Sequence, residues 1–431
     1  MPHAPDALLT GGHLLDLDSG ERHRADVRIR GGQIAELGDG LAADGEAEVD
    51  VSGRLVSPGW MDMHVHFREP GQEYKETIET GARAAAWGGF TAVACMPNTD
   101  PPLATRDAVE FVVARQRELP VAVHPIGTVS KGRAGDEMAE MGDMQAGGAV
   151  AFSDDGSPVQ HGGLMRRALE YARTLGAPIL GHEEDLTLNA GHGHMHEGAV
   201  ATRLGLPGIP ALAEEAMIAR DALLAEFTGG HVHVCHISTA RAVDIVRRAQ
   251  ARGVPISAEA CPHHWTLTDE AVAESRYDTN TKMHPPLRTA ADVQAIKDGL
   301  ADGTIAVIAT DHAPHAPHEK EAEFTAAPFG ILGLETCWGL TVRELVAPGV
   351  LWLAQAVRAL TVAPREILGL AVPRVAAGEA AELTVFDAET EWTFGPEHIQ
   401  SKSRNTPFVG APMTGRAWGI YHRGQWVPAE G

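Results

Sequence analysis

Residues 55–71 read LVSPGWMDMHVHFREPG. The run Leu55–His66 is β-type and largely apolar, and it ends in polar residues: Asp62, His64 and His66. Side chains alternate along a strand, so His64 and His66, two apart, point to the same side. There both imidazoles can hold one metal ion. An HxH pair alone is a weak sign, because a solvated or structural pair has the same spacing. Its recurrence further along the chain gives it meaning.

Similar β-type runs follow at Phe90–Met96, Val121–Ile126, Ala149–Phe152, Pro178–His182, His231–His236, Ile256–Cys261 and Ile305–Thr310. Helix-period stretches lie between them, at Thr77–Trp87, Asp107–Leu119, Gly163–Thr174, Ala211–Phe227 and Ala240–Arg252. In the last, Ala240, Val243, Ile245, Val246 and Ala249 make one apolar face. Eight strand–helix units over about 290 residues predict an α/β chain folded as a (β/α)8 TIM-type barrel, for which ~250 residues is typical before insertions. A doubly wound open sheet competes but gives no natural count of eight.

The flanks have a different texture. Residues 7–54 and 372–431 carry short alternating strands broken by Gly-rich turns. Neither is long enough to bury a sizeable core alone, so they are expected to pair into one small β-sandwich split around the barrel. The expected division is residues 1–54 and 366–431 for the sandwich and 55–365 for the barrel.

Composition narrows the function. The 431 residues carry 35 Lys and Arg against 58 Asp and Glu, a formal charge of −23. That balance argues against a nucleic-acid surface, which shows as a basic patch or stripe. Apolar residues make up 44% and charged residues 22%, as in a globular protein. No apolar run approaches the ~18 residues of a membrane span, and no signal peptide is visible. Four scattered cysteines without a CxxC pair point to small buried hydrophobes in a reducing compartment, so a cytoplasmic protein is expected.

The 22 histidines carry the chemical argument. In a barrel of this type the catalytic groups sit at the carboxyl ends of strands. Here those ends read Asp62-Met63-His64-Val65-His66, Ser153-Asp154-Asp155, His182-Glu183-Glu184-Asp185, His233-Val234-Cys235-His236 and Thr310-Asp311-His312. Imidazole nitrogen with carboxylate oxygen suits zinc or a neighbouring divalent metal. Four histidines and two carboxylates exceed what one tetrahedral ion uses, whereas two ions bridged by a carboxylate use them all. Such a pair makes hydroxide near neutral pH and polarises a carbonyl, as amide hydrolysis requires. Asp311 can bind an ion and also serve as general base. Asp154 and Asp155 both qualify as the bridge on this reading, and alternation points them to opposite sides.

The segments DMHVHFREPG (62–71), MPNT (96–99), CPHH (261–264), NTKMHPPLR (280–288), TDHAPH (310–315), APFGI (327–331) and SRNTPF (403–408) together resemble the cyclic-amidohydrolase branch of the amidohydrolase superfamily, and within it class I dihydroorotase. The resemblance spans nearly the whole chain. It implies reversible closure of N-carbamoyl-L-aspartate to (S)-dihydroorotate in pyrimidine synthesis on a binuclear zinc site. By position, His64 and His66 resemble the ligands of the first ion, and His182 and His236 those of the second. Asp311 resembles ligand and base. Arg68, Asn98 and His315 match residues that hold the substrate carboxylate, with His66, Asn280 and the Phe329–Gly330 backbone as further substrate contacts. An Arg fork grips a planar carboxylate bidentately, which gives Arg68 its electrostatic reason.

Many relatives in the superfamily bridge their metals with a carbamylated lysine. No lysine occurs here between Lys131 and Lys282, which leaves an aspartate bridge. The spacing to His182 resembles the family's when that aspartate is Asp155. The resemblance also implies a homodimer and allows a complex with aspartate transcarbamoylase. The rival readings are a dihydropyrimidinase, hydantoinase or allantoinase, whose substrates lack the ring carboxylate that Arg68 and Asn98 would meet, and a metal-free scaffold for aspartate transcarbamoylase. His192, His194 and His196 look like a metal tract but are expected to be solvated loop. His263 and His264 are expected in the wall of the site. Residues 316–326 read either as a mobile lid or as a solvated turn.

Overall fold

The computed structural model describes residues 6–189 and 193–429. The fold is mixed α/β, with eight parallel strands at its centre: β1 (Trp60–Val65), β2 (Phe90–Cys95), β3 (Ala122–Pro125), β4 (Phe152–Ser153), β5 (Ile179–Gly181), β6 (Val232–Val234), β7 (Ile256–Ala260) and β8 (Val307–Ile308). β1 to β3 form one parallel sheet and β4 to β8 another, each strand paired with its sequence neighbour. Two isolated parallel bridges join these sheets at both ends. Gly127, just past β3, meets Phe152 of β4, and Val65 of β1 meets His312, just past β8. Asp62 strengthens the second junction by accepting from the Thr310 hydroxyl at 2.5 Å.

Helices separate the strands, among them Ile78–Trp87, Arg106–Arg115, Gly162–Leu175, Ala211–Thr228, Ala240–Ala251, Ala290–Ala301 and Leu353–Ile367. Several starts are capped by threonine: Thr77, Thr105, Thr239 and Thr289 each accept from the backbone N–H three residues on. Both faces of the strands are buried, as parallel strands under a helical layer require. On β2, Val93 and Cys95 join the large cluster shared with the helices, while Ala92 and Ala94, with Met96 just beyond, join a separate smaller core.

The two ends of the chain meet in one antiparallel-rich sheet, ordered Gln425–Pro428, Pro412–His422, Leu383–Thr393, Leu55–Pro58, His13–Leu15, Arg22–Arg24. A four-stranded sheet from residues 7–50 shares its core, in which Leu9, Val27, Ile29 and Val56 pack with Leu383, Val385 and Tyr421. The run Leu55–His66 is therefore two strands rather than one. Leu55–Pro58 pairs with Leu383–Phe386, and β1 begins after Gly59. Only glycine fits at the junction, since a Cβ on Gly59 would lie 2.2 Å from Thr91 Oγ1. Among the described residues no helix is long and apolar enough to cross a membrane.

Candidate active site

The strand ends converge. His64 and His66 close β1, Asp155 lies two residues past β4, His182 follows β5, His236 lies two past β6 and Asp311 three past β8. All six are at most 7% exposed. Asp155 stands in the middle: its Oδ1 is 3.7 Å from His64 Nε2, 3.6 Å from His182 Nδ1 and 3.6 Å from His236 Nε2, and its Oδ2 is 3.6 Å from His66 Nε2. Asp311 Oδ1 lies 2.9 Å from His66 Nε2 and 3.5 Å from His64 Nε2. The alternation of β1 thus carries both histidines of the HxH pair to one side. Its neighbour Asp154 is turned away, accepting from the Val129 N–H at 2.9 Å and from the Ser130 main chain and hydroxyl. Asp154 fastens the loop after β3, and Asp155 faces the imidazoles.

Burial alone would push the Asp155 carboxyl up, but the surrounding imidazoles of His182, His236, His64 and His66, 3.6–3.7 Å away, hold it well below the usual carboxylate range. Asp311 is held low against burial by the His66 hydrogen bond and the charges of His64 and His66. Both are carboxylates at neutral pH.

The donor set fits metal ions. Asp155 Oδ1 and His64 Nε2 are buried with no hydrogen-bond partner, and such orphans are rare unless something else satisfies them. His182 Nδ1 and His236 Nε2 face each other at 3.0 Å, both close to the same carboxylate oxygen. The groupings His64–Asp155–His236 and His64–His66–Asp311 each bring their ligand atoms within 4.8 Å of one another.

The cluster opens on a cavity of about 280 Å³ lined by His66, Asp155, His182, His236 and Asp311 and by Arg68, Asn98, His315, Phe329 and Gly330. Arg68 is 8% exposed and its Nε donates to Pro314 O at 3.2 Å. Asn98 spans two members of the cluster: its Oδ1 sits 2.8 Å from His66 Nδ1, and its Nδ2 donates to Asp155 Oδ2 at 3.4 Å. His315 Nε2 donates to Phe329 O at 2.8 Å. Asn280 lines an adjoining cavity of about 290 Å³ that shares only His315 with the first. The short turn Thr279–Thr281 ties it there, its N–H donating to Asp278 Oδ1 at 2.9 Å.

Other expectations resolve as follows. His196 is buried and its Nδ1 meets Arg288 at 3.1 Å, so it holds the chain rather than facing solvent; His192 lies outside the described residues. His263 and His264 sit on the short helix Pro262–Thr266, both buried, with His264 Nε2 donating to Pro285 O. Residues 316–326 are mostly exposed, as a solvated turn would be, but Ala316, Lys320 and Phe324 anchor the segment, each at most 7% exposed.

Sequence reasoning missed the groups behind the ligands. Glu259 on β7 is fully buried and accepts from His64 Nδ1 at 2.5 Å and His233 Nε2 at 3.1 Å, which fixes the His64 ring with Nε2 toward the cluster. A lone acid in the apolar strand ISAEA was the available signal. Glu184 stands 3.7 Å from His182 Nε2 and 2.5 Å from His284 Nε2. Arg133 donates to Asp155 O and, at 3.0 Å, to Ser157 Oγ, bracing the turn that carries Asp155.

The chain resembles known proteins throughout. A family model described as dihydro-orotase-like matches residues 53–242. A dihydroorotase from Pelotomaculum thermopropionicum is 52% identical over 420 residues, covering 97% of this chain and 98% of that protein. One from Anaeromyxobacter dehalogenans is 51% identical over 425 residues, covering 98% of each. Among solved structures, L-hydantoinase from Arthrobacter aurescens superposes with TM-score 0.86 at 24% identity, over 98% of this chain and 96% of that one. D-hydantoinase from Thermus sp. gives 0.81 at 26%, with the same coverage. The curated relatives, about 50% identical over nearly the whole chain, place it among the hydrolases of the amidohydrolase superfamily. Within it, the chain belongs to the dihydroorotase family.

Proposed function

We propose that this protein is a dihydroorotase, interconverting N-carbamoyl-L-aspartate and (S)-dihydroorotate. The observation that carries the reading is the placement of one carboxylate, Asp155, 3.6–3.7 Å from four imidazoles beside a cavity lined by Arg68. His64, His66, His182, His236 and Asp311 would hold two zinc ions, with Asp155 between them in place of a carbamylated lysine. When bound, the ions would polarise the reacting carbonyl and acidify water.

The chain's own residues supply the rest. Arg68 receives the carboxylate common to both compounds as a planar fork. Asn98 holds His66 and Asp155 in their relative orientation, while the Phe329–Gly330 backbone and His315 close the opposite wall. In ring opening, Asp311 takes the proton of the attacking water and returns it to the leaving ring nitrogen; closure runs the same transfers backwards. Closure joins the carbamoyl nitrogen to a carboxylate carbon, takes up one proton and releases water. It therefore gains as pH falls.

The same proposal carries the finer architecture. The two parallel sheets, joined at both ends, are read as a closed (β/α)8 barrel over residues 55–365, and the paired flanks 1–54 and 366–431 as a split β-sandwich, to which Leu55–Pro58 is added. A cytoplasmic homodimer is expected, with aspartate transcarbamoylase as a second partner.

Metal-loaded protein should interconvert the two compounds, and Asp311→Ala should abolish this while leaving the circular dichroism spectrum unchanged. Elemental analysis near two zinc per chain supports the enzyme, and a value near zero favours the scaffold. Protein inert on dihydroorotate but fast on hydantoins would overturn the substrate.

A further inference from the structure

Two lysines lie buried beneath the segment that carries Phe329 and Gly330, Lys320 also lining the adjoining cavity. Lys282 is 2% exposed and Lys320 7%. Among the described residues, neither ammonium reaches a carboxylate; each donates instead to two main-chain carbonyls. Lys282 Nζ bonds Thr325 O at 3.1 Å and Ala327 O at 2.6 Å. Lys320 Nζ bonds Thr279 O at 3.0 Å and Pro328 O at 2.9 Å. The segments answer in kind: Gly330 N–H donates to Lys282 O at 2.9 Å, and Thr279 Oγ1 donates to Lys320 O at 2.6 Å. Lys282 Nζ also stands 4.6 Å over the Phe329 ring, whose other neighbour is His284, stacked at 4.8 Å.

A buried cation without a counter-ion is costly, and a methionine would fill the same space without that cost. The charge calls for a further purpose. Three carbonyls of residues 325–330, those of Thr325, Ala327 and Pro328, turn toward the two ammoniums and fix the course of this segment, with Thr279 O tying Lys320 to the neighbouring turn, because charge-assisted hydrogen bonds are roughly twice as strong as neutral ones. We infer that Lys282 and Lys320 are positioning residues that clamp the 325–330 main chain, so that the Phe329–Gly330 wall of the cavity keeps its shape around the anionic substrate. This rests on the cavity being the substrate site.

Burial pushes Lys320 down to about 7 and Lys282 to about 8. Lys282 adds to the lowering of Lys320, and Asp278 and Glu319 oppose it; for Lys282 burial is the cause. The clamp therefore weakens as the pH turns alkaline.

The test compares full-length, metal-loaded Lys320→Met and Lys320→Arg with wild type. Lys320→Met should raise KM for N-carbamoyl-L-aspartate at least tenfold while kcat changes less than threefold. Amide hydrogen exchange at Ala326, Ala327, Phe329 and Gly330 should quicken at least tenfold, with β1 and β2 unaffected. Lys320→Arg, which keeps the charge and the donors, should recover most of both. A purely space-filling lysine predicts the reverse order, with Met close to wild type and Arg worse, and that result overturns the clamp. If Lys320→Met does not fold, wild-type exchange between pH 6 and 10, corrected for intrinsic rate, reads the same device. Protection lost selectively at 326–330 supports it, and constant protection overturns it. Wild-type protein inert on both compounds, with the exchange pattern intact, would instead sink the substrate reading.

Discussion

Asp154 and Asp155 are adjacent and chemically identical, yet their surroundings assign them different work. Asp154 accepts from Val129 and Ser130, while Asp155 faces four imidazoles. Asp154→Asn should cost about 1–3 kcal/mol of stability by weakening the loop tie, with activity reduced less than tenfold. Asp155→Asn should lower zinc content and cut kcat at least a thousandfold while the protein stays folded. Urea titration, elemental analysis and steady-state kinetics on both variants separate the two roles. Position 155 was legible only through the family's spacing, because alternation is no guide at a strand–turn junction. Backbone strain left no trace in the sequence at all. Arg68, His236 and Asp311 adopt φ of 62°, 34° and 48°, a region that side chains other than glycine enter at a cost. Three residues of one site share it, so the surrounding packing holds them where the chemistry needs them.

At the scale of elements, the strands and their order could be read from apolar runs, and the helices Ala211–Thr228 and Ala240–Ala251 fall within a residue of expectation. Lengths could not. Ile305–Thr310 reads as six strand residues, but only Val307–Ile308 pair as β8, since the chain beyond must bend to bring Asp311 into the cluster. The loop 67–71 after β1 shows how tightly such bends are packed. A Cβ on Gly71 would lie 1.7 Å from Asp100 O, and its φ is +94°. Gly71→Ala should therefore destabilise by about 3 kcal/mol or more, since backbone must move. Gly31→Ala, at φ +58° with nothing within 4 Å, should cost about 1 kcal/mol. Equal losses in urea unfolding would show that close packing at Gly71 is not what matters.

For the whole molecule, burial governs the response to acid. His124, His196 and His231 are each pushed down to about 4, by burial first and then by Arg365, Arg288 and His233 respectively. The folded chain keeps them neutral while the unfolded chain protonates them near 6.5. Their contribution is complete above pH 6.5 and is lost as pH falls toward 4. Buried carboxyls act in the opposite sense: Asp62, raised to about 7 by burial, gains stability as pH falls through that window, so the histidine contribution is read as a difference between variants. Between pH 6.5 and 4 each of the three rings should withdraw about 2 kcal/mol once partial exposure is allowed for, read in thermal melts as a fall in Tm that the corresponding Gln variant lacks. Replacing His124 by Gln should flatten the slope, and an unchanged slope would contradict the assignment. The split of the outer sheet between the two ends was legible from texture, but the partners were not: nothing in Leu55–Pro58 announces Leu383–Phe386.

That long-range pairing bears on how the molecule is made. Trp60 N–H bonds Thr384 Oγ1 across 324 positions, and the strand beside it waits equally long for its neighbour. At roughly 5–20 residues per second, a ribosome needs about twenty seconds to a minute to deliver the missing partner. Throughout that interval the nascent chain exposes an open, apolar strand edge, the kind of surface on which unfinished chains pair with one another before the native partner arrives.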